Sequence, residues 1–469
     1  LSSITDICTE MANAARGRGR SHTTQPTIVR GGHAPTLVGL KGMPLAIADF
    51  IVRGAGEEAM LAIASEALLD IDKYEPKTCA IERVSRAQVI AYKKDANSEA
   101  YASLWPTISW TERLIFRDLK TGAPYEPAST RNSDSWELHV VMTRGCNWHC
   151  SFCTEALIGG GFGEMRRPVI DVINEIKFAL SLHGSLKVQF VDDNVLPPAK
   201  KGGRKGRTLS NEQVIWAQDF LSSLCEFRDA DHRFSWRGIM RIEDFILYEE
   251  EIDGFEKLLA DSGCNLLSFG IESGNPNVRN ALKGVEIDDL SNDRISELMS
   301  RIRKFGIKSK AYFIIGGKDQ TIDDIEKTIE YATSGAFDLA YFAIYKDFRE
   351  ITSKKTKDIK KLDFDLYASR LDECLESNND ELWEDVLGDA IDCESRSLFS
   401  NNYALLRQLG FSFQKHIKYN DYHETAELYV NMGFDGSKDY LRKLAEAYVR
   451  FYCRPSWNET YAELLENGY

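Results

Sequence analysis

The sequence predicts an α/β protein built on a partial (β/α)6, TIM-like barrel. An N-terminal Rossmann-like α/β half-domain precedes the barrel and a C-terminal helical domain follows it. Three observations predict this. Between residues 138 and 344, six strand-like segments alternate with amphipathic helical ones. Near the N-terminus, two strand-like segments run into glycines, and after residue 345 the alternation gives way to charged, aromatic-rich helix. Strand–helix units in succession imply a parallel sheet, closed or partly closed.

The elements follow in order. Residues 4–16 read as a helix closed by Gly17. Pro26–Gly32 and Ala48–Gly54 read as strands with glycine ends, and Glu57–Leu69 as a helix. This layer, residues 1–75, is expected to be parallel, with ligands outside the carboxyl ends of its strands. Residues 76–135 are a proline-interrupted connector. In the core, residues 136–345, strands are predicted at 138–142, 186–192, 234–240, 265–271, 308–315 and 338–344. Helices fall between them at about 168–183, 211–228, 254–262, 291–305 and 321–333, placed by period and capping signals. The first is the clearest, with Pro168 in its opening turn and one stripe of Val169, Val172, Ile173, Ile176 and Leu180. Residues 346–469 are expected to form helices closing the open side of the barrel.

Chemistry concentrates in Cys146-Asn-Trp-His-Cys150-Ser-Phe-Cys153, a C-x3-C-x2-C spacing just after the first core strand. Thiolates crowded at a strand end suit a metal better than a packed core. A 4Fe–4S cluster takes one ligand per iron, so three cysteines leave one iron open. A zinc site that enlists His149 or a distant ligand is the rival, although no second C-x2-C or H-x3-H stands in the chain. A disulfide would leave an odd thiol. The basic run Lys200–Arg207 reads as a solvated loop and does not fit a phosphate-binding P-loop.

The triad, with Phe152 immediately before its third cysteine, resembles the signature of the radical SAM superfamily. That resemblance implies that Cys146, Cys150 and Cys153 bind a 4Fe–4S cluster whose open iron chelates S-adenosylmethionine. It also implies one-electron cleavage of the sulfonium to methionine and a 5′-deoxyadenosyl radical. Strand ends carry chemistry in such barrels. On the resemblance, Phe152 lines the adenine side of the cofactor, Gly270, Glu272, Ser273 and Tyr312 lie on strands facing it, and Arg241 pairs with its carboxylate. Asp192 or Asp193 meets its ammonium or ribose. A structural reading stands beside these: Asp193 and Ser273 also suit helix caps.

Gly31-Gly32-His33 with Asp49–Glu57 resembles the later half of the cobalamin-binding domain found in one subgroup of that superfamily. Gly31, Gly32 and Gly54 would let backbone approach the cofactor's nucleotide tail. The subgroup's Asp-x-His-x-x-Gly motif is missing from the stretch before Gly31, and Asp421–Ala426, the nearest match, lacks the glycine. The expected reaction is therefore methyl transfer with cobalamin on a small metabolite, or direct use of a SAM-derived radical.

A net charge of −14, from 58 basic and 72 acidic residues, disfavours non-specific binding to nucleic acid or a membrane surface. Seven further cysteines are scattered, which suits a reducing cytoplasm. No signal peptide is visible, and because the chain opens on Leu1 without Met its true start is expected to be missing. The expected partners are a small-molecule substrate and an external electron donor such as flavodoxin or ferredoxin.

Overall fold

A computed structural model describes four strands between residues 29 and 92, most of 137–345, and helical segments within 364–462. The predicted helices at 4–16 and 57–69, the glycines Gly31, Gly32 and Gly54, and the sequence match at 421–426 lie outside the described residues. The chain divides into two compact units. One comprises residues 1–109, 153–167 and 347–356, the other 110–152, 168–346 and 357–469.

The first unit contains a four-stranded sheet. β1 (Val29–Arg30), β2 (Phe50–Arg53) and β4 (Ala87–Tyr92) run parallel, and β3 (Cys79–Val84) pairs antiparallel with β4 at the edge, giving the order β1-β2-β4-β3. The two strands predicted with glycine ends are thus present and parallel. Residues 79–92, read from sequence as connector, supply the other two.

The second unit holds a six-stranded, all-parallel sheet curled into a half-barrel. Its strands are β5 (Glu137–Val140), β6 (Ser185–Phe190), β7 (Arg233–Arg241), β8 (Cys264–Glu272), β9 (Lys308–Ile315) and β10 (Leu339–Ile344). They lie side by side in chain order. The predicted core helices all form: α1 (Val169–His183), α2 (Asn211–Cys225), α4 (Phe255–Asp261), α6 (Asn292–Lys304) and α7 (Ile322–Thr333). Their termini follow side-chain chemistry. Ser210 and Thr321 each cap a helix through a reciprocal capping box, and Ser291 accepts from Arg294 N. Two helices that the sequence reading passed over, α3 (Ile242–Glu251) and α5 (Pro276–Lys283), sit directly after β7 and β8.

Alternation along the strands separates two faces. Leu267, Phe269, Ile271, Ala311, Phe313 and Phe342 are fully buried on the helix-covered face. Phe313 stacks on Phe342 at 5.4 Å, and Tyr448 from the C-terminal helices meets Phe342 edge-on at 5.2 Å. Residues two apart on the other face, such as Lys310 with Tyr312, and Arg237 with Ile239, line the concave side.

The C-terminal segment is helical as expected: α8 (Phe364–Ser377), α9 (Asp380–Leu387), α10 (Cys393–Gln408) and α11 (Ser437–Tyr452). Helix α11 covers the edge strand β10. The Tyr448 hydroxyl accepts from Phe342 N and donates to Phe342 O, both at 3.1 Å, and Tyr452 donates to Ala340 O at 2.7 Å. An edge strand's unpaired backbone groups are thereby satisfied by side chains, which blunts the edge. Lys443 and Arg450 of α11 also share Glu326 of α7.

Candidate active site

The loop between β5 and α1 carries the cysteines, and the strand ends around it explain its shape. Oδ1 of Asp192, just past β6, accepts from Met142 N at 2.8 Å and from Thr143 Oγ1 at 2.9 Å; Thr143 N donates to the same oxygen. Asn194 links two strand ends: its Oδ1 accepts from Arg241 N at 2.8 Å, and its Nδ2 donates to Asp244 at 2.9 Å. Asp244 is fully buried and also receives the Trp148 indole N–H at 3.2 Å and Ala199 N at 3.1 Å. The middle of the cysteine loop is thus anchored through Trp148 to the first turn of α3. Burial pushes the Asp244 carboxyl up to about 6, against the Arg241 charge and the Ala199 hydrogen bond.

Helix α5 holds the loop from the other side. Ser151 N and Oγ both donate to Leu282 O, at 2.9 and 3.0 Å. Gly284, left-handed at φ +65°, ends that helix, and a Cβ there would stand 3.4 Å from His149 O. Phe152 packs against the buried cluster of Leu282, Ile314 and Tyr345.

Beneath the cysteines lies a buried charge network. Arg241 Nη1 is 2.7 Å from Cys150 Sγ, and its guanidinium lies 3.8 Å from the centre of the Trp148 ring. Arg207 approaches the same ring at 4.1 Å and donates to Asn147 O at 3.0 Å. Glu243 bridges Arg241 at 3.4 Å and Lys283 at 2.8 Å, and Lys283 also donates to Gly270 O. Burial opposes ionisation of Glu243, but the two cations hold its carboxyl below the usual range. Glu272, at the end of β8, is among the described residues the non-glycine with positive φ, at 67°. A left-handed non-glycine costs about 1–3 kcal/mol and survives where surroundings over-determine it. Burial pushes the Glu272 carboxyl up to about 7, against Lys283 and Arg241. Gly270 leaves room for the Glu272 carboxyl: a Cβ there would meet Glu272 Oε1 and push that side chain aside.

The structure thus brings Cys146, Cys150, Arg241, Gly270 and Glu272 to the carboxyl edge of one sheet. Tyr312 is in register with Gly270, and Gly270 with Arg241. Ser273 is fully buried, its hydroxyl shared with Thr328 at 3.0 Å and accepting from Asn275 N at 3.1 Å. Asp193 is exposed. Residues missed from sequence are Trp148, Asn194, Arg207, Glu243, Asp244 and Lys283. Trp148 stands inside the triad, and Asn194, Glu243 and Asp244 stand just after strands, which was their available signal; Arg207, in the basic run, and Lys283, at a helix end, carried none.

The donor set fits an iron–sulfur cluster. Burial pushes the Cys146 thiol up to about 12, against a Trp148 backbone hydrogen bond and the Arg241 charge, and it raises Cys150 likewise. A buried thiolate needs a metal or a cation, and a coordinating metal deprotonates a thiol outright. The Arg241 cation touches Cys150, while Arg241 Nε and Nη2 are buried without a hydrogen bond. Among the described residues no three His, Cys, Asp or Glu side chains close around one ion's position. A cubane takes one thiolate per iron, so its ligands stand further apart than those of a single tetrahedral ion.

Residues 140–332 match the family model of the Radical SAM superfamily. These residues form a radical SAM domain.

The domain is 28% identical over 222 residues to an uncharacterized methyltransferase of Pyrococcus horikoshii, covering 46% of this chain and 41% of that one. It is 27% identical over 209 residues to the cytidylyl-2-hydroxyethylphosphonate methyltransferase of Streptomyces wedmorensis, covering 43% and 34%. The chain therefore spans less than half the length of these relatives. Among solved structures, it is similar to the radical S-adenosylmethionine methyltransferase TsrM of Kitasatospora setae, with TM-score 0.49 and 18% identity over 73% of this chain and 58% of that one. Among the described residues no helix is long and apolar enough to cross a membrane.

Proposed function

We propose that this chain is a cytoplasmic radical SAM enzyme that transfers a methyl group to a small metabolite with the help of cobalamin. The observation that carries the radical part is the convergence of Cys150, Arg241 and the Glu272 strand end on one edge of a parallel sheet. Cys146, Cys150 and Cys153 hold the 4Fe–4S cluster in this reading. When bound, the cluster and S-adenosylmethionine supply reductive cleavage of a carbon–sulfur bond, with the electron coming from a flavodoxin or ferredoxin.

The chain's own residues do the positioning. Arg241 keeps a positive charge against the thiolate pair in a dry site, where electrostatic interactions are strong. Glu243, itself held by Lys283, pairs with the guanidinium from behind. Glu272 presents a carboxyl near its neutral–charged midpoint at pH 7, able to donate or accept at the nucleotide. Asp192, Asn194 and Asp244 hold the loop in shape before any ligand arrives.

The cobalamin part is supported by β1 and β2, which run parallel and are followed directly by Gly31 and Gly54. Open parallel sheets bind ligands at that edge. The two methyltransferase relatives favour methyl transfer. A second reading is direct use of a SAM-derived radical without cobalamin.

The test is anaerobic reconstitution followed by metal, corrinoid and product analysis. About four irons per chain are expected, one cubane's worth, with bound corrinoid absorbance and S-adenosylhomocysteine among the products. Cys150→Ala should lose both the iron and the cluster's paramagnetic signal. Full iron loading in a variant lacking all three cysteines refutes the radical reading; absence of corrinoid alone selects the second one.

A further inference from the structure

The concave face of the half-barrel carries a cation that the site above does not use. Lys310 lies on β9, two residues before Tyr312, and is half-buried. Its Nζ lies 5.1 Å from the centre of the Tyr312 ring and 5.7 Å from that of Tyr341, and the two rings stand 5.4 Å apart. Among the described residues no carboxylate pairs with it. Arg237, on the same face, differs: it makes two bonds to Glu137, at 2.7 and 2.6 Å, and one to Gln189 at 2.8 Å. A half-buried lysine held over two rings retains unspent hydrogen-bond donors, since an ammonium has three.

Its neighbours are those of a ligand pocket. In register with Lys310 stand Ser268 on β8 and, beyond it, Ile239 on β7. Ile239 is 37% exposed although it lies on a central strand of the sheet, where apolar side chains are normally covered. One pleat further on lies the row Arg241, Gly270, Tyr312 and Tyr341. Aromatic and apolar walls with a few convergent polar groups are what small-molecule sites present. From Arg241, which touches Cys150, to Lys310 is two strand spacings across and two residues down, about 12 Å by standard sheet dimensions.

We propose that Lys310, with the Ser268 hydroxyl, binds an anionic group of the substrate, a carboxylate or a phosphate or phosphonate, whose apolar body lies on Ile239, Tyr312 and Tyr341. This rests on the proposed radical function and adds the substrate class: an amphipathic monoanion or dianion about 12 Å long, its far end at the cysteine side. Lys310 is a binding residue here and takes no part in bond cleavage.

The test is calorimetric titration of anaerobically reconstituted protein with 3-phenylpropionate, phenylphosphonate and the neutral 3-phenylpropanol. At least one anion should bind tenfold or more tighter than the alcohol, and the stronger of the two tells carboxylate from phosphonate. Lys310→Met should weaken that anion about tenfold to a hundredfold, as expected for loss of a charge-assisted bond, and leave the alcohol unmoved. Lys310→Arg should restore most of the anion's affinity. If Lys310→Met fails to fold, Lys310→Gln gives the same comparison. Equal binding of anion and alcohol, no binding of any probe, or anion affinity unchanged in the lysine variants overturns the proposal. Iron content and SAM cleavage by the wild-type protein are measured alongside. Their absence defeats the radical reading, whereas their presence with indifferent lysine variants defeats the anion site alone.

Discussion

Replacing Asp192 by Asn tests how the cysteine loop is held. Asp192 is 5% exposed, and burial pushes its carboxyl from 3.8 to about 7, against hydrogen bonds from Thr143 and Met142. The folded protein therefore keeps a proton here that the unfolded chain gives up. Stability from this group is complete below pH 4 and is lost as pH rises through about 7. A gap of about 3 units at 1.36 kcal/mol each is worth roughly 4 kcal/mol as a ceiling. Asn keeps an oxygen for Met142 N and Thr143, but its amide brings two donors to the place of Oδ2, a buried atom with no hydrogen-bond partner. At pH 5 the variant should be less stable by about 1–3 kcal/mol, the cost of unsatisfied buried donors. Above pH 7 that deficit should shrink or reverse, because the wild type alone carries a buried charge. Urea unfolding of metal-free, reduced protein from pH 4.5 to 8.5, read by far-UV dichroism, gives both curves. A stability difference between variant and wild type that stays constant over this range refutes the argument.

Two further outcomes are expected. Tyr448→Phe strips the hydroxyl that satisfies both backbone groups of Phe342 at the sheet edge; a loss of about 1–3 kcal/mol in urea unfolding, with iron loading intact, is expected. Glu272→Gly removes a left-handed side chain and a buried carboxyl, so the metal-free protein should be as stable or more stable by about 1 kcal/mol, while equilibrium dialysis should show weaker binding of S-adenosylmethionine to the reconstituted protein.

The barrel was legible because its period is. Strand β9 has the predicted bounds, 308–315, and α1 follows its apolar stripe to within a residue. What escaped had weak local signals. Helix α3 follows directly on Arg241, the extended last residue of β7, whose side chain makes no capping bond, so nothing separates strand from helix in the sequence. Helix α5 does carry Asn275, Pro276 and Gly284 at its ends, but at eight residues it is too short to show a period. Between β3 and β4 the sequence reads Ser85-Arg86, without the glycine or asparagine that marks most two-residue turns. The triad was readable from its spacing, and the superfamily from the resemblance of that triad, with Phe152, to a known signature. The Asp244–Trp148–Asn194 lattice was not, since each member serves a partner at least 45 residues away or lies in a loop without periodicity. Tertiary hydrogen bonds of that span leave no trace in local pattern.

Helix α5 has a mechanical consequence. Its eight residues begin four positions after Glu272 and finish on Leu282 and Lys283, which grip Ser151 on one side and Glu243 with Gly270 on the other. So short a rod hardly flexes, and it yokes the nucleotide-side strand end to the sulfur-bearing loop. Whatever steadies one end steadies its opposite, so a ligand bound at either end would favour binding at the other by the same factor.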